Sequence, residues 1–562
     1  MGGKKEAKAD AKKDGKKADD AKKATISLDP PSGTRDFFPD EMRMQRWLFN
    51  KFREVAGLYG FQEYDAPVLE HVELYKRKAG EEITDQMYCF TDKEGAEVTL
   101  RPEMTPSLAR MVLNLMRVET GEMAALLPLK WFSIPQCWRF ETTQRGRKRE
   151  HYQWNMDIVG VPGISAEVEL LSAICTFFEK IGITSKDVGL KINSRKVLGA
   201  VTKKAGVPDD RFAETCVIID KLDKIGAEAV QKELMDKVGL SQEVSTKLTD
   251  ATTAKTLEEF ATLAGVGESD EVKEMRRLFE MADDYGFGDW LIFDASVVRG
   301  LAYYTGVVFE GFDRAGTLRA ICGGGRYDRL LSLYGSPKEV PCVGFGFGDC
   351  VVAELLKEKN VVPVLPHTID YLVAPYNQDM AGKALSVARR LRLAGKRVDV
   401  FPDPAKKVAR AFNYADRVGA VRVAFVAPGE WDQGLVRIKD MRNFGQDAPD
   451  SVKQKDVPLD DLANVDRYFG ITIDGQPLDG ASSAPAAAAG QPPSTAKAAA
   501  VKSGAEEAFL ETNSYLGGAT ASRADAELYE KLSQTGRPST PNLARWYDHV
   551  GSFQPSQRKA WP

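Results

Sequence analysis

The residues best suited to chemistry fall in a few short runs. In "CWRFETTQRGRKREHYQWNMDI" at 137–158, Arg139 and Glu141 precede a turn carrying Arg145, Arg147, Lys148 and Arg149, and Gln153 and Asp157 follow it. Strand alternation places Arg139 with Glu141 on one face, and Gln153, Asn155 and Asp157 likewise on one face. A flexible basic turn can fold over a polyphosphate while a fixed arginine grips the reacting phosphate, although a solvated basic hairpin has the same composition. In "VVRGLAYYT" at 297–305, Arg299 and a glycine precede Tyr303 and Tyr304 in a hydrophobic, strand-like neighbourhood. A charge there needs an anionic partner or ligand. Close by, "CGGGRYD" at 322–328 holds Tyr327, and "VGFGFGDC" carries GxGxG at 344–348. Such glycines mark either packed strand crossings or a flat floor on which a purine could lie. No GxxxxGK[ST] loop is present, and no GxGxxG follows a strand.

These runs need elements to position them. Helical spacing of Met44, Trp47, Leu48, Phe52, Val55 and Leu58 predicts a helix ended by Gly60. Short strands follow in "FQEYDAPVLE", "MYCFTD" and "EVTLRPEMT", then a helix from Pro106 to about Arg117, a strand–turn–strand unit from Pro128 to Val159, and a helix over 164–181. Short amphipathic helices fill 195–288, and strands return at 291–294, 303–310 and 317–322. This mixture predicts an antiparallel α+β domain. Residues 367–445 alternate buried-type strands with helices at about 379–394 and 404–418, a βαβαβ pattern with a largely parallel sheet. An Ala/Pro/Gly/Ser-rich linker and an amphipathic stretch over 506–562 complete the chain.

Composition narrows the classes. A formal net charge of −4 over 562 residues means that any nucleic-acid contact uses local basic patches. No apolar run reaches the roughly 18 residues a membrane span needs. Seven scattered cysteines without a CxxC pair read as reduced thiols, and four histidines, none at ligand spacing, argue against a structural zinc. Residues 1–27 form a Lys-rich extension without a signal-peptide core, expected to be disordered and able to hold polyanions such as RNA loosely.

The hairpin, "SGTRDFFP" (32–39), "LRPEMTPSLAR" (100–110), "VVRGLAYYTGVVFEG" (297–311) and "CGGGRYD" together resemble the histidyl-tRNA synthetase family of class II aminoacyl-tRNA synthetases, in particular its organelle-type branch of plants and algae. The match runs from about Leu28 to Gly445. The resemblance implies an α+β architecture: a class II catalytic domain at 28–363 built on a six-stranded antiparallel sheet with a helical insertion at 194–288. It also implies an α/β anticodon-binding domain at 367–470, followed by the linker at 471–505. The implied activity is ATP-dependent ligation of L-histidine to tRNA(His) through a histidyl-adenylate, by a homodimer. ATP enters with Mg2+ as a substrate complex; no tightly bound cofactor, metal site or membrane contact is expected.

Carried over by position, Glu103, Thr105 and Gln153 would hold the α-amino group of histidine. Asp157 and Tyr304 would read the imidazole, with Tyr303 and Tyr327 lining the pocket. Arg139 and Arg299 would be the catalytic cations at the α-phosphate; Glu141, Arg147, Gly346 and Gly348 would complete the ATP site. Two positions depart from the family: Ala302 stands where many members have aspartate, and Val351 stands where the third class II motif usually ends in an arginine. Arg147 and Arg329 are the candidate substitutes for that cation. Val351 supports the alternative of a catalytically impaired regulator or tRNA-binding scaffold, while Arg299, Gln153 and Asp157 oppose it. In the small domain, Lys383, Arg389, Arg390, Arg392, Lys396, Arg397, Lys406, Lys407 and Arg410 fit phosphate contacts. The 506–562 stretch resembles the glutathione-transferase-like helical domain of elongation-factor subunits. That resemblance implies a module docking on similar domains of translation factors or other synthetases, with Trp546, Tyr547 and Phe553 as core or docking aromatics. It points to the cytoplasm, with mitochondrial or plastid use possible.

Overall fold

The computed structural model describes residues 27–77, 84–118, 127–219, 221–297, 303–365, 369–401, 408–445, 447–478, 523–533, 546–547 and 550. Arg299 and Ala302, the Lys-rich extension up to residue 26, the linker beyond residue 478, Lys406, Lys407, Phe553 and most of 506–562 lie outside them. Two units divide the chain, Met1–His367 and Thr368–Pro562.

In the first unit, strands β1 (Gln62–Glu63), β2 (Leu69–His71), β3 (Tyr88–Thr91), β4 (Glu97–Leu100), β5 (Leu129–Ser133), β6 (Gln136–Trp138), β7 (Glu150–Val159), β8 (Val188–Ser194), β9 (Leu291–Phe293), β10 (Val307–Asp313), β11 (Cys322–Arg326) and β12 (Cys342–Gly348) form two sheets. The large sheet runs β1-β5-β7-β12-β11-β10-β8-β9, with β6 paired on β7. Its six central strands, β5 through β8 in that order, are antiparallel, as expected. Two short edge strands, β1 and β9, pair in parallel and make the whole sheet mixed.

Alternation along β7 and β12 gives the sheet two unlike faces. Trp154, Met156 and Ile158 of β7 and Phe345 and Phe347 of β12 point into the main core. Helices Pro39–Leu58 and Ser165–Lys180 cover that face, with Phe52 stacked on Trp154 at 4.8 Å and Phe177 edge-on to Phe347 at 5.0 Å. Burial of each such ring contributes on the order of 2–3 kcal/mol. The first helix opens with Pro39 and acidic Asp40 and Glu41, complementing its dipole, and Gly60 at φ +73° turns the chain out of it. On the opposite face a second cluster holds Val308, Tyr303, Tyr304 and Tyr327. Helices from Arg195 to Tyr285 form the insertion between β8 and β9.

Two boundaries differ from the sequence reading. The strand expected at 303–310 begins at Val307, and the strand expected at 317–322 begins only at Cys322. Residues 314–321 are a loop instead, because the Asp313 carboxylate accepts from the N–H groups of Ala315 and Thr317 and from the Thr317 hydroxyl, which turns the chain out of the ladder.

The second unit carries β13 (Tyr371–Pro375), β14 (Val398–Val400), β15 (Arg422–Val426), β16 (Leu435–Asp440) and β17 (Gln454–Pro458) in the order β14-β13-β15-β16-β17. The first three in that order are parallel, and two antiparallel strands extend the expected βαβαβ core. Fully buried Arg422 ties it together through Asp440, Asp466 and the Tyr371 hydroxyl. Further along, helix Arg523–Ser533 packs on Trp546 and Val550, and the Trp546 indole N–H donates to Asp525 at 2.8 Å. Trp546 is therefore a core residue.

Candidate active site

The glycines of β12 are dictated by the side chains of β7. A Cβ on Gly344 would lie 1.9 Å from Asp157 Oδ1, and one on Gly346 would lie 1.8 Å from Gln153 Nε2. Only glycine leaves room for these two polar groups to lie across the neighbouring strand. The glycine floor expected to hold a purine is thus already taken at Gly344 and Gly346 by Asp157 and Gln153. Gly346 and Gly348 do line the cavity beside it.

That cavity, about 190 Å3, is bounded by Arg139, Glu141, Arg147, Lys148, Gln153 and Arg319, with Val351 at its edge. Arg139 is held at its Nε, which donates to the Pro102 carbonyl at 2.9 Å, and its Nη1 stands 4.0 Å from Glu141. Arg147 pairs with the other oxygen of Glu141. Arg145 instead ties the basic turn to the Asp349–Glu358 helix, 3.0 Å from Glu354 and 2.7 Å from Glu358. Gly146, at φ +71°, lets the turn reverse, and a Cβ at this position would meet the Val351 side chain at 3.1 Å. The Gly146 turn thus lies directly against Val351. Of the two candidate substitutes, Arg147 lines the cavity. Arg329 does not: it lies on the surface, 3.3 Å from Glu339. Arg319 is the cation that sequence reasoning missed, because its loop reads as strand; basic character within "TLRAIC" was the available signal.

His151 also lines this cavity. Burial, and then the charges of Arg139, Arg35 and Arg147, push its imidazole down to about 3. It is neutral in the folded protein while the unfolded chain protonates near the usual 6.5. Stability from this group is thus complete above pH 6.5 and is lost as pH falls toward 3. Between pH 7 and pH 5 the wild type should lose about 2 kcal/mol more than His151→Phe, read from urea unfolding at both pH values. Equal losses would show that this imidazole is not held neutral.

Beside the cavity lies a polar pocket. The Tyr327 hydroxyl donates to Asp157 Oδ1 at 2.5 Å. Tyr303 stands edge-on to Tyr327 at 5.9 Å, and Tyr304 lies against Tyr303 at 4.7 Å. Burial first, and then the Asp157 charge, raises the phenols of Tyr327 and Tyr64 well above their usual value, so both stay protonated. Tyr64, half-buried with its hydroxyl near Asp157 and Ser133, belongs to this pocket and carries no motif in the sequence. Glu103 is buried next to Pro102, its carbonyl accepting from Tyr75, and Thr105 opens the following helix. Cys137, in electrostatic reach of Arg139 and Glu103, brings its Sγ to 3.8 Å from the Gln153 side-chain oxygen. Glu103, Gln153, Asp157 and the three tyrosines thus share one side of the sheet with the cationic cavity. No group of three His, Cys, Asp or Glu side chains converges as a metal site among the described residues.

In the second unit, most of the expected phosphate contacts have internal partners. Arg390 pairs with Asp460, Lys396 with Asp466 and Arg397 with Asp370, while Arg392 donates to the Val398 carbonyl. Lys383 lies over Trp431, and Arg389 and Arg410 are exposed.

A family model described as "Histidyl-tRNA synthetase" matches residues 33–348, and one described as "Anticodon binding domain" matches 370–465. The chain is 51% identical over 414 residues to the chloroplastic/mitochondrial histidine–tRNA ligase of Arabidopsis thaliana, covering 74% of this chain and 83% of that protein. To the histidine–tRNA ligase of Opitutus terrae it is 36% identical over 444 residues, covering 78% and 97%. Among solved structures, histidyl-tRNA synthetase from Nostoc sp. PCC 7120 superposes with a TM-score of 0.62 at 24% identity, covering 79% of this chain and 99% of that one. A structure described as an ATP phosphoribosyltransferase regulatory subunit/histidyl-tRNA synthetase from Bacillus halodurans C superposes at 0.58 with 21% identity, over 72% and 100%. At these identities the two structures speak for the fold.

Proposed function

The chain belongs to the histidyl-tRNA synthetase family, and on that premise we propose how its cleft works. It is a class II aminoacyl-tRNA synthetase, a histidine–tRNA ligase of protein synthesis, using histidine, tRNA, ATP and a divalent metal. The metal is Mg2+, carried in by the phosphates of ATP. Histidine lies over the β7 side of the sheet. Its imidazole meets Asp157 and Tyr304 at the two ring nitrogens, inside walls made by Tyr303 and Tyr327, and its amino group meets Glu103, Thr105 and Gln153. A donor–acceptor pair of this kind rejects apolar isosteres, which would leave buried polar groups unpaired.

The carboxylate of histidine then attacks the α-phosphorus of ATP, an O–P bond forms, and the bond to pyrophosphate breaks. Arg139 and Arg299 are the cations that stabilise the anionic phosphorus, and Arg147 folds onto the outer phosphates. In the second step a terminal ribose hydroxyl of tRNA takes the acyl group and AMP leaves. The observation that carries this reading is the Tyr327–Asp157 hydrogen bond laid over Gly344, a polar pocket next to a cavity bounded by arginines.

The test is charging of tRNA by the purified chain with each amino acid in turn. Histidine alone should be attached. Asp157→Asn should raise KM for histidine roughly 10- to 100-fold, the value of a hydrogen bond to a charged group, with KM for ATP unchanged. Charging with another amino acid, or an unchanged KM for histidine, would refute the assignment.

We further propose a homodimer, checked by sedimentation, and a docking role for 506–562. The docking role is supported by the small core around Trp546 and checked by loss of translation-factor association on deleting 480–562. Cytoplasmic residence rests on the same tail, and imaging of a tagged chain decides between cytoplasm and organelle. No helix among the described residues is long and apolar enough to cross a membrane.

A further inference from the structure

Most cations around the cavity are already matched. Arg147 faces Glu141, Arg145 faces Glu354 and Glu358, and Arg35 faces Glu150 and Asp349. Arg319 lines the same cavity and has no carboxylate within ion-pair distance among the described residues. It stands on the 314–321 loop, whose base is fixed. The Asp313 carboxylate caps the loop at one end, and at the other Ile321 N donates to the Gly311 carbonyl at 2.8 Å. Arg319 is exposed overall, and desolvation at the cavity wall, then the charge of Arg147, lowers its guanidinium from the ordinary value, with Glu141 and Glu310 opposing. Three guanidiniums, those of Arg139, Arg147 and Arg319, thus line one cavity, and among the described residues the first two share Glu141 while Arg319 has no carboxylate within ion-pair distance. An anion with more than one charged group between them relieves this repulsion.

The Asp349–Glu358 helix lines the cavity with Cys350 and Val351 and supplies no such cation among the described residues; Lys148 lines it from the exposed basic turn. Val351, against the Gly146 turn, carries no charge, and Asp349 at the start of its helix is committed to Arg35 and the Tyr152 N–H. Arg329 is turned to the surface against Glu339.

We propose that Arg319 binds the outer phosphates of ATP and the departing pyrophosphate, doing from the β10–β11 loop what a cation at position 351 would do from the helix. This rests on the reading of the cavity as the ATP site and adds to it the residue that compensates Val351. Arg319 pairs across the cavity with Arg147, so the triphosphate tail is held from a fixed wall and from the flexible turn at once. Lysine keeps the charge but not the planar fork, so Arg319→Lys should be intermediate.

The experiment is calorimetric binding of ATP with Mg2+, and of AMP, to the full chain and to Arg319→Ala and Arg319→Lys. Loss of one charge-assisted contact should weaken ATP binding roughly 10- to 100-fold in Arg319→Ala, less in Arg319→Lys, with AMP within twofold of wild type. Thermal melting should not change, since the side chain has no ion pair among the described residues to lose. Equal ATP affinity in wild type and Arg319→Ala would overturn the proposal, as would an equal loss for AMP, which would place Arg319 at the nucleoside. Because the readout is binding, it is separable from the functional reading. ATP bound through Arg319 without histidine-dependent chemistry would leave this proposal standing and sink the ligase mechanism.

Discussion

Arg139→Ala should lower the rate of adenylate formation by about three orders of magnitude while leaving the fold intact. The Nε of Arg139 is anchored on the Pro102 carbonyl, and Nη1 is 4.0 Å from Glu141, so the guanidinium plane is oriented before any substrate arrives. A donor fixed in this way is not reorganised as negative charge builds on the phosphorus, which is why its loss falls on kcat more than on KM. Arg139→Lys should not recover the rate, because an ammonium lacks the planar fork that fixes one N–H on Pro102 and aims the others at the phosphate. Stopped-flow measurement of adenylate formation, with circular dichroism melting as control, checks this. A rate within tenfold of wild type would remove Arg139 from the chemistry.

The second large effect is on stability. Arg326 of "CGGGRYD" is buried, with its Nε and Nη2 each 2.6 Å from an oxygen of Glu167, and it also meets Asp328 and the carbonyls of Val161 and Gly163. Arg326→Met should cost about 3–5 kcal/mol at pH 7, because Glu167 is left charged in the interior without a partner. Burial already raises the Glu167 carboxyl above its ordinary range, against the pull of Arg326. Without the arginine its folded-state value rises further, so the protonated carboxyl is tolerated below the unfolded value and the penalty grows as pH rises through the folded one. The deficit should therefore be smaller at pH 5 than at pH 8, and Arg326→Met with Glu167→Gln should recover much of it. Urea unfolding at the two pH values is the measurement; a deficit independent of pH would mean that Glu167 stays ionised in the folded variant over this range, as it does in the unfolded chain.

These two arginines show what was legible in the sequence. Both stand in runs that point to a synthetase, yet one faces the cavity and the other is an internal tie. Residue type and spacing cannot separate them; the partner, Glu167 in a helix about 160 positions earlier, can. Alternation was reliable where strands are long: it put Gln153 and Asp157 together on β7, and the glycines of β12 confirm the register. It failed in "GTLRAIC", where a loop happens to alternate and the Asp313 cap decides the path. That failure hid Arg319 and left Arg329 as a substitute cation that the surface pair with Glu339 excludes. Composition made the basic residues of the small domain candidates for phosphate contacts but could not reveal that some also have carboxylate partners such as Asp370 and Asp466.

The most direct measurement is exchange of labelled pyrophosphate into ATP by the purified full chain, with and without L-histidine. The expected result is exchange that requires histidine and is not supported by other amino acids. No exchange by folded protein that still binds ATP would contradict the ligase mechanism, and would mark the chain as a synthetase-like scaffold in which Val351 signals lost catalysis.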